Sequence, residues 1–199
     1  MNADRYLDRL GLARADVAPP DHEALRTLQA AHVRTVPFEN IAITGDPEGN
    51  GAEGVTLDRR YVVDVGVAVP TIRQPLPLDG TLREDEAGVA WRVVESDRPD
   101  ADYCAQFRNP GGDWQNRYVF RDRPVTLDFF RASCEFLAAA PESPFTSDPF
   151  ATIATPSGHR KLEPGTLTVI ENGETRERPV DPREWHDVLE REFGISLSV

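Results

Sequence analysis

Tyr61-Val62-Val63-Asp64-Val65-Gly66 is the stretch on which the reading of this chain turns. Three β-favouring residues run into an aspartate and then a glycine, so the segment reads as a strand that ends on a carboxylate. It also marks a change of texture. Helical patterns precede it, and period-two alternation follows it.

Upstream, residues 3–12 read as a short amphipathic helix with Tyr6, Leu7 and Leu10 on one face. Ala18-Pro19-Pro20 breaks it. Asp21 is placed to N-cap a second helix running to about Arg34, with Leu25, Leu28 and His32 along one side. Pro37 ends that helix, and Pro37-Phe38-Glu39-Asn40 reads as a turn. Residues 44–54 hold four glycines and one proline without a strong apolar residue, which is the composition of a linker.

Downstream, Ala90–Val94 and Tyr103–Phe107 alternate as strands. Asn109–Asp113 is a turn into a further strand from Trp114 to Phe120. Thr126 to Ala140 is helix-like and stops before Pro141. Leu167–Ile170 and Arg176–Val180 flank Glu171-Asn172-Gly173-Glu174, an Asn-Gly hairpin signal. A last helix over about 183–192 is stopped by Gly194. Helices, then strands, then a mixed tail indicate an α+β fold rather than an alternating one.

Composition removes several function classes. Of 199 residues, 34 are acidic and 22 basic, a net charge of −12. Phosphate backbones and anionic membrane surfaces are repelled by such a chain. No run approaches the roughly 18 apolar residues of a membrane span, and the charged start lacks a signal-peptide core. The expectation is a cytoplasmic protein. Its two cysteines, far from any CxxC pattern, form neither a disulfide framework nor a zinc site, so no metal is expected. Gly49-Asn50-Gly51 with Gly54 lacks the spacing of a phosphate cradle. Glu84, Asp85 and Glu86 read as a solvated charge run. Asp97, Asp100 and Asp102 resemble no calcium loop, although they could chelate that ion weakly.

Several segments, in order, resemble the arylamine N-acetyltransferase family. They are the second helix with Leu25, Leu28 and His32 leading into Pro37-Phe38-Glu39-Asn40; Tyr61 to Gly66; and Pro75-Leu76-Pro77-Leu78. Gly112-Asp113-Trp114 through Tyr118-Val119-Phe120, Asp128-Phe129, Pro141-Glu142-Ser143-Pro144-Phe145 and Phe193-Gly194-Ile195 complete the set. The resemblance implies a reduced N-terminal helical bundle at 1–43, an antiparallel β-barrel-like middle at 54–125, and a helix with a mixed α/β lid at 126–199. It also implies acetyl transfer from acetyl-CoA, a cosubstrate rather than a tightly bound cofactor, to an arylamine or hydrazine nitrogen. In that chemistry a cysteine is the nucleophile, a histidine its base, and an aspartate holds the histidine. Asp64 stands at the aspartate position.

The partners of Asp64 are missing. In the family, a long segment carrying the catalytic cysteine and then the histidine lies between the Pro-Phe-Glu-Asn turn and the aspartate strand. Here 23 residues separate Asn40 from Asp64, and none is cysteine or histidine. Val67-Ala68 also replaces the family's Phe-Gly after the aspartate loop, which weakens the case for its acyl and CoA contacts. The remaining candidates read as structural. Cys104 is a small, half-buried strand residue, and Cys134 a core residue beside Phe130 and Leu137. His32 packs with Leu25 and Leu28, while His22 and His186 lie at the surface. His159 is on a loop with a freely placed ring. Asp64 itself reads as a carboxylate bonded to backbone N–H groups at a strand end, weighed against a surviving functional role.

The expectation is an acetyltransferase homologue impaired in catalysis, with a non-catalytic binding protein or a degenerate remnant as the alternative. Arylamine or CoA would bind only if the pocket survives. Loss of a segment should leave the faces bearing Leu25 and Leu28 partly exposed and turn Val55–Val63 into a sheet edge, favouring self-association.

Overall fold

The computed structural model describes residues 3–39, 53–56 and 59–197. The expected linker therefore lies outside the described residues, except Glu53 and Gly54, which begin a strand.

Two helices open the chain. α1 (Ala3–Leu10) buries Leu7 and Leu10. α2 (His22–Thr35) is capped by Asp21, whose Oδ1 accepts the Ala24 N–H at 2.9 Å, satisfying one of the donors a helix start leaves open. The helices are joined by a 2.6 Å hydrogen bond between the Tyr6 hydroxyl and His32 Nδ1. Leu25 and Leu28 are half-buried, and α2 instead buries Ala24, Gln29 and Val33.

The expected turn at 37–40 is in part a strand. β1 (Phe38–Glu39) pairs with β9 (Ala151–Thr155), far along the chain. A proline sets extended backbone for the residue before it and suits a strand start after it. The segment expected as one edge strand, Val55–Val63, is a hairpin of β2 (Glu53–Thr56) and β3 (Arg60–Val63). β3 is the middle strand of its sheet, flanked by β2 and β4 (Leu76–Pro77).

The middle of the chain does not close into a barrel. β2-β3-β4 is one open sheet, and β5 (Arg83–Glu84), β6 (Ala90–Glu95), β7 (Tyr103–Arg108) and β8 (Gln115–Phe120) form another. Pro75 and Pro77 give β4 too few amide donors to extend a ladder toward β5. The two sheets instead share a core of Val62, Ile72, Leu76, Val89, Trp91, Val93 and Phe107.

The helix expected over 126–140 is a 3₁₀ turn (Leu127–Phe130) followed by α3 (Arg131–Ala139). No residue of α3 is buried, so Cys134 and Leu137 are not core positions; both are half-buried at the helix's inner side.

A five-stranded antiparallel sheet, ordered β1-β9-β10-β11-β12, ends the chain with β10 (Gly158–Glu163), β11 (Thr166–Glu171) and β12 (Glu174–Pro179). Asn172 and Gly173 take the positive φ values, 52° and 80°, that a two-residue hairpin turn needs. α4 (Trp185–Phe193) covers this sheet with Trp185, Val188, Leu189 and Phe193, packed on Ala151, Leu162, Leu167 and Val180. Gly194 caps it in the left-handed region at φ 68°.

One buried cation joins these parts. Arg73, 6% exposed, follows the loop after β3. Its guanidinium donates to the carbonyls of Thr155 and Gly158, at the β9–β10 turn. Its Nε lies 3.2 Å from Asp85 Oδ2, on the β5–β6 turn. Asp85, whose side chain is only 3% exposed, also accepts the N–H groups of Ala87 at 2.9 Å and Val89 at 3.0 Å. Of the expected solvated run, Glu84 and Glu86 are exposed as read, but Asp85 turns inward. Burial pushes its carboxyl above the usual value while Arg73 pulls it back.

Removing one member of such a pair leaves the other charge buried and unmatched. Asp85→Ala is therefore expected to lower the unfolding free energy by about 3–5 kcal/mol. Glu86→Ala, which removes a side chain that is 63% exposed beside a half-buried Arg34, should cost less than about 1 kcal/mol. Urea denaturation of the two variants side by side checks the contrast.

Candidate functional site

Asp64 ends the β3 hairpin strand and is 5% exposed. Its Oδ1 accepts the Gly66 N–H at 2.9 Å, closing a turn of the kind short acidic side chains favour. Its backbone carbonyl takes one N–H of the Gln29 side-chain amide at 3.1 Å, and Ile72 O takes the other at 3.0 Å. Gln29, on α2 and 1% exposed, thus clamps both ends of the loop from Asp64 to Ile72. Sequence reasoning passed over it. The signal was a glutamine at i+4 from Leu25 and i−4 from Val33, a polar residue within an apolar stripe.

β8 supplies the other neighbours of Asp64. Arg117 donates to Ala68 O at 2.6 Å; burial holds its guanidinium below the usual value, against the pull of Asp64. The Tyr118 hydroxyl is raised above its ordinary value by burial first and then by the Asp64 carboxylate. The two groups are close without meeting hydrogen-bond geometry, and the phenol is left unpaired among the described residues, as is Gln29 Oε1.

Between α2, β9 and the loop after Asp64, Val33, Val36, Phe38, Val65, Val67, Val69, Thr71, Thr152, Ile153 and Ala154 line a cavity of about 10 Å³. That is room for roughly one water-sized sphere, far below the ~300 Å³ at which small-molecule sites begin.

Every cysteine and histidine of the chain is among the described residues, and none is hydrogen-bonded to Asp64. Cys104 is buried in β7, its Sγ 3.6 Å from Ala105 O. Burial, then Asp97, push its thiol up, the reverse of what a thiolate nucleophile needs. Cys134 lies on α3. His32 is held by Tyr6, and burial, then Arg9, depress its pKa. His22 is not a surface residue: its ring packs 4.8 Å from that of Tyr61 and its Nε2 is buried. His159 is not on a loop but within β10, between Ala154 and Ile170, because Pro156-Ser157 makes the turn before it. Burial, then Arg73 and Lys161, depress its pKa. His186 is exposed.

The other candidates are spent on structure. Asp100 pairs with Arg98 at 2.6 Å, and Asp102 accepts the Asp122 N–H at 2.8 Å. Among the described residues no group of acids, histidines and cysteines could hold a metal ion, and no helix is long and apolar enough to cross a membrane. Gly49, Asn50 and Gly51 lie outside the described residues.

A strand ending on a buried aspartate, clamped by a helix that leads into Phe38, is the arrangement to compare with known proteins. A family model described as N-acetyltransferase matches residues 53–199. The chain belongs to this N-acetyltransferase family, that of the arylamine N-acetyltransferases. An arylamine N-acetyltransferase of Mycolicibacterium smegmatis is 24% identical over 262 positions, covering 99% of this chain and 93% of that protein. An uncharacterized acetyltransferase of Bacillus subtilis, YvcN, is 27% identical over 149 residues, 71% of this chain; the match spans only 57% of that relative's length. In fold, the chain matches an arylamine N-acetyltransferase from Bacillus cereus with a TM-score of 0.84 at 19% identity, covering 99% of this chain and 100% of that one. That structure is described as having a Cys-His-Glu catalytic triad. The Mycobacterium marinum arylamine N-acetyltransferase, solved in complex with CoA, matches with a TM-score of 0.82 at 20% identity over 98% of this chain and 93% of that one.

The two depressed histidines fix one pH dependence of this N-acetyltransferase scaffold. Below their ordinary value of 6.5 the unfolded chain takes up protons that the folded chain refuses, so stability is full above about pH 7 and falls with acidification through the depressed values. Urea midpoints measured from about pH 7.5 down to about pH 5.5 should decline, and His32→Gln with His159→Gln should flatten the slope.

Proposed function

We propose that this chain is an arylamine N-acetyltransferase homologue that does not carry out the family's cysteine-dependent acetyl transfer. The observation that carries this reading is the surroundings of Asp64. The aspartate at the triad position is bonded to a backbone N–H of its own turn, and none of the chain's two cysteines and four histidines reaches it. An orienting carboxylate has no catalytic effect without an imidazole to orient, and an imidazole none without a nucleophile to deprotonate.

The length of the Mycolicibacterium alignment supports the same reading. It runs over 262 positions, whereas this chain has 199 residues, so the relative carries residues with no counterpart here. An internal deletion between Asn40 and Asp64, removing the catalytic cysteine and histidine, accounts for that difference. Asp64 then persists as a structural residue: it ends β3 and fixes the loop that Gln29 clamps.

The alternative is a binding protein for CoA or an arylamine, or a remnant with no selected role. A ligand seated beside Asp64 would have to open a cavity of about 10 Å³. A remnant unable to fold is at odds with two apolar cores whose central residues, Trp91, Leu76, Leu162 and Leu189, are 0% exposed.

The test is release of CoA thiol from acetyl-CoA in the presence of an arylamine. Wild type and Asp64→Asn are expected to run equally, both at the rate of the protein-free blank. A rate above the blank that Asp64→Asn lowers about a hundredfold or more would establish a working triad and overturn the proposal. Calorimetric titration with CoA on the same samples should give no binding heat; a saturable heat would favour the binding reading.

A further inference from the structure

Independently of the acetyl-transfer question, α3 is an anomaly of packing. It carries Phe136 at 51% exposure, the preceding 3₁₀ turn carries Phe129 at 58%, and Val125 lies just upstream at 42%. No other helix or strand among the described residues packs extensively on it besides that turn. Phe129, Ala132, Ser133 and Phe136 are exposed at i, i+3, i+4 and i+7, one continuous stripe along the helix.

The stripe reads the same in both directions, with aromatic rings at its ends and small residues in its middle. Its charged flank has the same property. Arg131 is 71% exposed and holds Asp128 at 2.5 Å, whereas Glu135, exposed and one turn further on, has no ionic partner among the described residues. A surface that complements itself under a two-fold rotation is what an isologous contact requires. An antiparallel two-fold axis beside Ser133 sets Phe129 of one copy against Phe136 of the other. It lets the helices approach at Ala132 and Ser133, and brings Arg131 of each copy to Glu135 of the other.

We infer that the α3 face is the contact of a homodimer of this chain, built on the Phe129–Phe136 stripe and two reciprocal Arg131–Glu135 pairs. The 13 residues from Leu127 to Ala139 span about 20 Å. That length places the contact at the small end of specific interfaces, so the dimer is a weak, concentration-dependent one. The net charge of −12 opposes it at long range, and added salt should strengthen it until the Arg131–Glu135 pairs are themselves screened.

The test uses the full chain. Sedimentation velocity over a rising concentration series is expected to show a monomer–dimer equilibrium. Ser133→Cys, made with Cys134→Ser and with Cys104 left buried, should be trapped as a disulfide-linked dimer under mild oxidation. Phe136→Glu should abolish both signals. Arg131→Glu should raise the dissociation constant about tenfold, and Glu135→Arg added to it should restore binding to within about threefold. All substituted side chains are at least partly exposed, and thermal melts should confirm intact folding. A monomer at every concentration with no trapping overturns the inference. So does trapping that survives Phe136→Glu, or a charge reversal that rescues nothing, since either marks non-specific apolar contact. A trapped species heavier than twice 22.1 kDa would require the Cys104 thiol as well, would mark non-specific cross-linking and would also overturn it.

Discussion

The guanidinium of Arg73 is the tie on which the rest of the structure depends. It is fixed on one side by the Asp85 carboxylate and on the other by two carbonyls at the β9–β10 turn. One side chain therefore connects the loop after Asp64, the four-stranded sheet and the C-terminal sheet. Burying a cation is unfavourable unless its donors are matched, so Arg73 is stably buried only where all three parts meet. Close packing reinforces the geometry: a Cβ added at Gly158, whose carbonyl Arg73 holds, would lie 1.7 Å from Ile170 O.

That arrangement places the stabilising contacts of the scaffold downstream of the N-terminal helices. The two apolar cores lie in the residues after Asn40, one under the middle sheets and one under α4. The N-terminal helices contribute little to either. They join the remainder through Gln29, which grips the Asp64–Ile72 loop from α2, through the packing of α2 on β9 and of His22 on Tyr61, and through the short pairing of β1 on β9. Some buried polarity near Asp64 is left unmatched. Gln29 Oε1 and the Tyr118 hydroxyl are both buried without partners among the described residues, a state native interiors rarely tolerate.

Much of the architecture was legible in the sequence because the signals were local. The Asp21 cap, the Asn172-Gly173 hairpin, the alternation of β6 and β7 and the Gly194 stop each depend on neighbouring residues. The α+β class and the family followed from their order. What could not be read was set by distant contacts. β1 is a strand only because β9 lies beside it. β9 and β10, with Thr-Ile-Ala-Thr and His-Arg-Lys, lack the strong alternation that marks a half-buried strand. Asp85 was hidden in a run of three acids, and only the fold turns it toward Arg73. Cys134 sits at helical spacing from Phe130 and Leu137, which is a core pattern, yet among the described residues no helix or strand packs extensively on α3. The place of Asp64 at the end of a strand was legible; its neighbours Gln29, Arg117 and Tyr118 were not, since periodicity carries no information about which strand a helix meets.

The claim that most needs a direct test is that this chain keeps an acetyltransferase's fold but forms no acetyl-enzyme. Intact mass of the folded protein after incubation with acetyl-CoA measures it in one step. An unchanged mass is expected, on protein that melts cooperatively. A gain of one acetyl group, discharged when an arylamine is added, would show that covalent transfer persists and would contradict the account.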